Sequence, residues 1–264
     1  MRLLPLAVAI FLATGSSSHP PASPLRVMTY NIHAGKDAGG VDNLARVADV
    51  IAKSDAEIVL LQEVDRNTAR SGNVDQAAEL ERLTGFHAAF GKSLDYQGGE
   101  YGIAILSHWP ITRATTVHLP VEPTQTRAGE STEPRVALVI ETKTPLGALT
   151  VVDTHLDASR DDRYRLQEVR ELVSLVGEQK SSDILVGGDF NSTPTSRIHE
   201  VMIGSGLRDA WSECASAGEG ATYPADTPRE RIDYLYLGDA FHCAAATVLE
   251  TRASDHRPLL VELR

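Results

Sequence analysis

The chain has 264 residues, 42% hydrophobic and 23% charged, with a formal net charge of −11 at pH 7. That length accommodates one large domain or two small ones, and the polarity excludes a membrane-embedded bundle. The acidic balance also lacks the broad basic footprint with which proteins grip nucleic acid through its phosphates.

Residues 1–15 have the form of a secretory signal peptide: Arg2 is the positive start, Leu3 to Ala13 the apolar run, and Ala13-Thr14-Gly15 the small residues before cleavage. The apolar run is too short to anchor permanently in a bilayer. No cysteine follows it to carry a lipid. Residues 16–24, "SSSHPPASP", read as a flexible leader, and residues 25–264 as one domain. The expected destination is therefore secreted or periplasmic. Cys214 and Cys243 are the only cysteines. In an exported chain such a pair suggests one disulfide, two buried thiols being the alternative.

Strand-like runs recur along the rest of the chain: Leu25–Tyr30, Glu57–Leu61, Gly102–Leu106, Val136–Glu141, Leu149–Thr154, Ile184–Val186, Ile232–Leu237 and Leu259–Leu263. Helical spacing appears at Asp42–Lys53, through Leu44, Val47, Ala48 and Ile51, and at Asp161–Gly177, through Leu166, Val169, Val173 and Val176. Interleaved strands and helices argue for an α/β protein. The succession of strands from Gly102 to Thr154 without a helix favours antiparallel neighbours, so mixed sheets are expected. Lys92–Gly99 and Pro120–Pro134 read as long irregular loops of the sort that border sites.

The run "ILVGGDFN" at Ile184–Asn191 ends a buried strand in two glycines, an acid and an amide. Gly with Asp or Asn is ordinary turn chemistry, but open α/β sheets also bind ligands at the carboxyl ends of strands. Other polar residues sit at the ends of apolar runs in the same way. Asn31 follows "LRVMTY", Glu63 follows "EIVLLQ" and His155 follows "LTVVDT". Asp233 lies within "RIDYLYL", and Asp255-His256 precedes "RPLLVEL". Each alone has a dull explanation as a turn, cap or surface residue. Together, converging on one edge of a sheet, they supply what phosphate-ester hydrolysis needs: oxygen ligands for a hard divalent cation, a group to orient or deprotonate water, and donors for phosphoryl charge. No HExxH, G-x-S-x-G or Walker loop is present to support a different hydrolase or nucleotide chemistry.

The ordered set "TYNIH", "LQEVDR", "YGIAILSHWPI", "THLD", "GGDFN", "RIDYLYL" and "SDHRPLLVEL", spanning Thr29 to Leu263, resembles the endonuclease/exonuclease/phosphatase family. The resemblance implies a four-layer α/β/β/α sandwich with two mixed β-sheets face to face and a site at one end. It implies Mg²⁺, with Mn²⁺ as a possible substitute, held by Glu63 with Asn31 and Asp255 close by. Asp189 would orient or deprotonate the attacking water, and Asn191 would fix the scissile phosphate or the nucleophile. His256 would pair with Asp233, His155 would donate to a phosphate oxygen, and Arg135 would edge the site. Two positions depart from the common pattern: His33, where nucleases often carry an acid, and Ile103, where many members carry Asn. The implied activity is an exported phosphodiesterase or phosphomonoesterase acting on a small or lipid-derived phosphate ester. An extracellular nuclease and a catalytically inactive phosphoester-binding protein are the alternatives. The expected protein is a monomer with no dedicated nucleic-acid surface and no transmembrane segment once the signal is removed.

Overall fold

The structure, a computed structural model, describes residues 24–123, 133–179, 183–214 and 216–264. The expected signal peptide, the expected leader up to Ser23 and the middle of Pro120–Pro134 lie outside the described residues. The first sheet has the strand order β11-β12-β1-β2-β4-β3, built from Cys243–Val248, Leu259–Leu263, Leu25–Asn31, Ile58–Arg66, Gly99–Ser107 and His87–Tyr96. The second has the order β5-β6-β7-β8-β10-β9, built from Ile111–Leu119, Arg135–Thr144, Gly147–His155, Ile184–Asp189, Asp233–Leu237 and Arg208–Asp209.

Both sheets are mixed, as the run of strands predicts. β1 pairs with β2, and β7 with β8, in parallel. These are the pairs whose connections contain the helices α1 (Leu44–Lys53) and α3 (Arg163–Glu178), because parallel neighbours need a crossover. The other eight pairs among the described residues are antiparallel.

Period-two alternation sorts each strand's side chains into two cores. Leu25 and Val27 of β1 and Ile58 and Leu60 of β2 face Leu138, Val151, Leu185 and Leu235 between the sheets. Met28, Tyr30, Val59 and Leu61 face the opposite way. They pack under Val47 and Ile51 of α1 and Leu80 of α2 (Gln76–Thr84). On the outer face of the second sheet, Val152, Ile184 and Val186 pack under Val169 and Leu172 of α3 and Met202 of α4 (Arg197–Gly204). The result is the four-layer sandwich. Burial on both faces explains why the central strands read as nearly continuous apolar runs.

One expectation is corrected. Lys92–Gly99 is not an irregular loop, since Lys92 to Tyr96 continue β3 and Gly99 begins β4. The segment is a tight hairpin turning at Gln97 and Gly98, both with positive φ. Its polar composition belongs to an edge strand with one exposed side, which carries no apolar run. The short segment Ala210–Glu213, α5, lies next to the Cys214–Cys243 disulfide, whose Cα atoms are 5.3 Å apart. Among the described residues no helix is long and apolar enough to cross a membrane.

Candidate active site

Strand register assembles the site. In the second sheet His155, the last residue of β7, lies beside Asp189, the last of β8. Asp189 in turn lies beside Asp233, the first residue of β10. Three chemically active side chains from distant parts of the sequence thus form one row across a sheet end. From the first sheet, Asn31 closes β1 and its amide nitrogen donates both to Glu63 Oε1 at 3.1 Å and to Asp189 Oδ2 at 3.0 Å. One amide therefore bridges the two sheets.

Glu63 is not simply the residue after a strand. The β2–β4 register slips between Leu61 and Val64, and Glu63 adopts φ 58°. Such a bulge re-aims a side chain that regular alternation would bury. A non-glycine residue in this region is strained and is held there by its surroundings.

The two glycines of "GGDFN" have separate packing duties. A Cβ on Gly188, whose φ is 140°, would lie 1.9 Å from the Thr154 carbonyl oxygen of β7. A Cβ on Gly187 would meet Leu235 Cδ2 at 2.6 Å in the inter-sheet core. At Gly188 the approach is backbone to backbone between neighbouring strands, and at Gly187 it is to side chains of the core.

His256 comes into place because the Ser254 hydroxyl donates to the Asn31 carbonyl at 2.7 Å, joining the loop before β12 to the end of β1. His256 Nδ1 is 2.9 Å from Asp233 Oδ2 and its Nε2 is 3.7 Å from Asp189 Oδ2. Burial alone would pull the imidazolium's pKa down, but the carboxylates of Asp233 and then Asp189 outweigh it and raise the pKa to about 10. Burial and then the charge of Asp233 raise the Asp189 carboxyl to about 7, against the opposing pull of His256. His155 is held well below the ordinary histidine range by burial, then by Arg135 and His256. The two histidines are thus driven to opposite protonation states. His256 is cationic and His155 neutral.

Glu63, Arg135, His155, Asp189, Asn191, Asp255 and His256 line one cleft of about 360 Å³. Asn31 and Asp233 lie buried beneath it, bonded to residues of its wall. All nine predicted residues therefore meet. Asn191, with φ 47°, donates its side-chain amide to the Leu156 carbonyl at 2.9 Å, and its backbone N–H to Asp189 Oδ1 at 2.9 Å. His33 Nδ1 lies 3.8 Å from Asp255 Oδ1, so this departure remains beside the site. Ile103 is buried between the sheets and does not line the cleft. The cleft also holds Arg70, Tyr101, Glu133, Tyr223 and Glu230, which the motif reading missed. Arg70 lies in a single 3₁₀ turn, Ala69–Ser71, and Tyr223 in a loop, neither long enough to show periodicity, and only Tyr101 falls inside a quoted motif. A larger groove of about 650 Å³ lies at the opposite ends of β1 and β2, lined in part by Arg26, Asp55 and Glu57. It has no comparable buried acid–base set.

The family model described as the Endonuclease/Exonuclease/phosphatase family matches residues 28–256. The chain belongs to that family. It is 27% identical to the uncharacterized protein YbhP of Escherichia coli K12 over 253 residues, covering 90% of this chain and 95% of that one. It is 26% identical over 204 residues to the inositol phosphosphingolipids phospholipase C of Schizosaccharomyces pombe, covering 72% of this chain but only 46% of that one. The crystal structure of an endonuclease/exonuclease/phosphatase from Beutenbergia cavernae superimposes with a TM-score of 0.77 at 26% identity, covering 92% of this chain and 72% of that one.

Endonuclease/exonuclease/phosphatase proteins are metal-dependent, and the donor set here fits a hard cation. The carboxylates of Glu63 and Asp189 converge on a single neutral amide, that of Asn31, and Asp255 lines the same cleft. Carboxylate and amide oxygens gathered in this way suit coordination of a hard divalent cation. Asp189, Asp233 and His256 also present ligand atoms within 4.8 Å of one another. In that set, however, Asp233 Oδ2 and His256 Nδ1 are already engaged with each other through their hydrogen bond.

Proposed function

We propose that the protein is an exported, Mg²⁺-dependent hydrolase of phosphate esters acting on a small or lipid-derived substrate. The carrying observation is the convergence of the bonded His256–Asp233 pair, Asp189, and the Asn31–Glu63 pair on one strand-end cleft. When bound by Glu63, Asn31 and Asp255, the cation would supply charge for the phosphoryl oxygens and the leaving group.

The chain's own residues divide the remaining work. Asp189 accepts from Asn31 and from the Asn191 backbone, which fixes its carboxylate to orient an attacking water and take its proton. Asn191 commits one amide N–H to the Leu156 carbonyl, which leaves its Oδ1 to accept from the water and its second N–H to donate to a phosphate oxygen. His256, kept cationic and oriented by Asp233, donates from Nε2 to a phosphoryl oxygen as charge builds. Neutral His155 provides a second donor, and Arg135, buried at the cleft wall, adds fixed positive charge. Export is supported by the N-terminal pattern and by the Cys214–Cys243 bridge, which oxidising compartments favour. The acidic net charge and the likeness to a phospholipase C by name support a substrate other than nucleic acid. The test is a panel of bis-p-nitrophenyl phosphate, inositol phosphates, a sphingolipid phosphodiester and plasmid DNA, run with Mg²⁺ and with EDTA. Metal-dependent turnover of the small or lipid-derived esters is expected. Efficient cleavage of DNA alone would overturn the substrate class, and no turnover at all would overturn the activity.

A further inference from the structure

Beyond His256 and Arg135, the cleft contains a further oriented cation that the hydrolytic step does not use. Asp65, fully buried in β2, accepts from Arg70 Nε and Nη2 at 2.7 and 2.8 Å through its two separate oxygens. Thr68 donates to the same carboxylate at 2.7 Å. The guanidinium carbon lies 4.7 Å from the centre of the Tyr96 ring and 5.3 Å from that of Tyr101. The Arg70 backbone N–H donates to Gln97 at 3.0 Å. The planar group is therefore fixed by a carboxylate at one edge and by two aromatic rings, at little further entropy cost on binding.

The opposite edge is open. Nη1 makes no hydrogen bond among the described residues, and the side chain, 29% exposed, lines the same cleft as Glu63, Arg135 and Asp189. Arg70 makes no hydrogen bond or ion pair with His155, Asp189, Asn191 or His256. A guanidinium that only neutralised Asp65 would need neither the aromatic brace nor a free edge facing the site. A planar fork with a free edge matches the oxygens of a phosphoryl group, which Arg engages through paired N–H donors.

Resting on the phosphoesterase reading above, we propose that Arg70 determines specificity by gripping a second phosphoryl group on the substrate, one that is not cleaved. The preferred substrates are then esters bearing two phosphates, with the scissile one against Asp189 and His256 and the other against Arg70. Asp65 is the positioning residue that turns the fork toward the cleft.

The experiment measures competitive inhibition of bis-p-nitrophenyl phosphate hydrolysis at fixed Mg²⁺. The inhibitors are alkyl monophosphates and α,ω-alkanediol bisphosphates of two to six carbons. Removing Arg70 alone leaves Asp65 buried and unpaired, so the paired variant Asp65→Asn/Arg70→Gln is made beside Arg70→Lys, with thermal melts as folding controls. In the wild type the best bisphosphate should bind about tenfold or more tightly than its matching monophosphate. That ratio should fall to near one in the paired variant and to an intermediate value in Arg70→Lys, which keeps charge but loses the fork. A wild type without bisphosphate preference, or a preference that survives in the paired variant, overturns the assignment. Because bis-p-nitrophenyl phosphate has no second phosphate, failure to hydrolyse it at all would count instead against the proposed activity.

Discussion

Glu168 offers a test of the packing beneath the site that needs no assay of catalysis. It is fully buried on α3, its Oε2 accepts the Asp157 backbone N–H at 2.8 Å, and its Oε1 has no hydrogen-bond partner. Burial raises its carboxyl from 4.5 to about 7, against the stabilising pulls of the Asp157 N–H and of Arg135. In the unfolded chain the group ionises near its ordinary pKa, whereas in the fold it keeps its proton until about neutral pH. Between those values the unfolded state binds fewer protons, so this residue makes stability fall as pH rises, and its contribution levels off above the folded pKa. At about 1.4 kcal/mol for each pH unit of difference, the cost reaches roughly 3 kcal/mol in alkali, of which about 2–3 kcal/mol develops between pH 5 and pH 8.5. Glu168→Gln does not titrate and keeps an acceptor for the Asp157 N–H. Chemical denaturation of both proteins, disulfide intact, should therefore show the variant gaining about 2–3 kcal/mol on the wild type between pH 5 and pH 8.5. Comparing the two proteins at each pH cancels the other titrating groups. An equal stability difference at both pH values would refute a buried, proton-retaining Glu168.

Other outcomes follow from the site and its supports. Gly188→Ala, which sets a Cβ 1.9 Å from the Thr154 oxygen at a φ of 140°, should cost more than about 2 kcal/mol in denaturation; an unchanged midpoint would refute the close β7–β8 approach. Glu63→Gln should lose most turnover and bind Mn²⁺ more weakly by calorimetry, with partial recovery at high Mg²⁺; wild-type affinity would remove Glu63 from the metal site. Asp233→Asn should lower the pKa of His256 from about 10, so that activity requiring the imidazolium fails at lower pH than in the wild type. The pH–rate profile reads that shift, and in the double mutant His256→Ala should mask most of the Asp233→Asn effect. Cys243→Ser opens a bridge of sequence separation 29, and should destabilise by about 3–4 kcal/mol in the chain-entropy model; thiols that label promptly in unreduced protein would deny the bridge.

The sequence alone determined the strands whose two faces are both buried, because two-sided burial leaves apolar runs that composition exposes directly. β12 was bounded at Leu259–Leu263, and α1 and α3 within two residues at each end. It also determined which polar residues meet, since each ends or begins such a run and strand ends on one side of a sandwich must share an edge. What it left open depended on neighbours distant in the chain. β3 and β5 carry exposed polar faces, so their side chains reveal no period without the sheet they join. The aim of Glu63 depends on a register slip against β4, and the opposite charge states of His155 and His256 depend on which carboxylates and arginine burial sets beside them. Arg70 sits in a three-residue 3₁₀ turn with no pattern of its own. Only folding brings it over Tyr96 and Tyr101 and into the cleft, because a guanidinium is oriented by contacts rather than by local sequence.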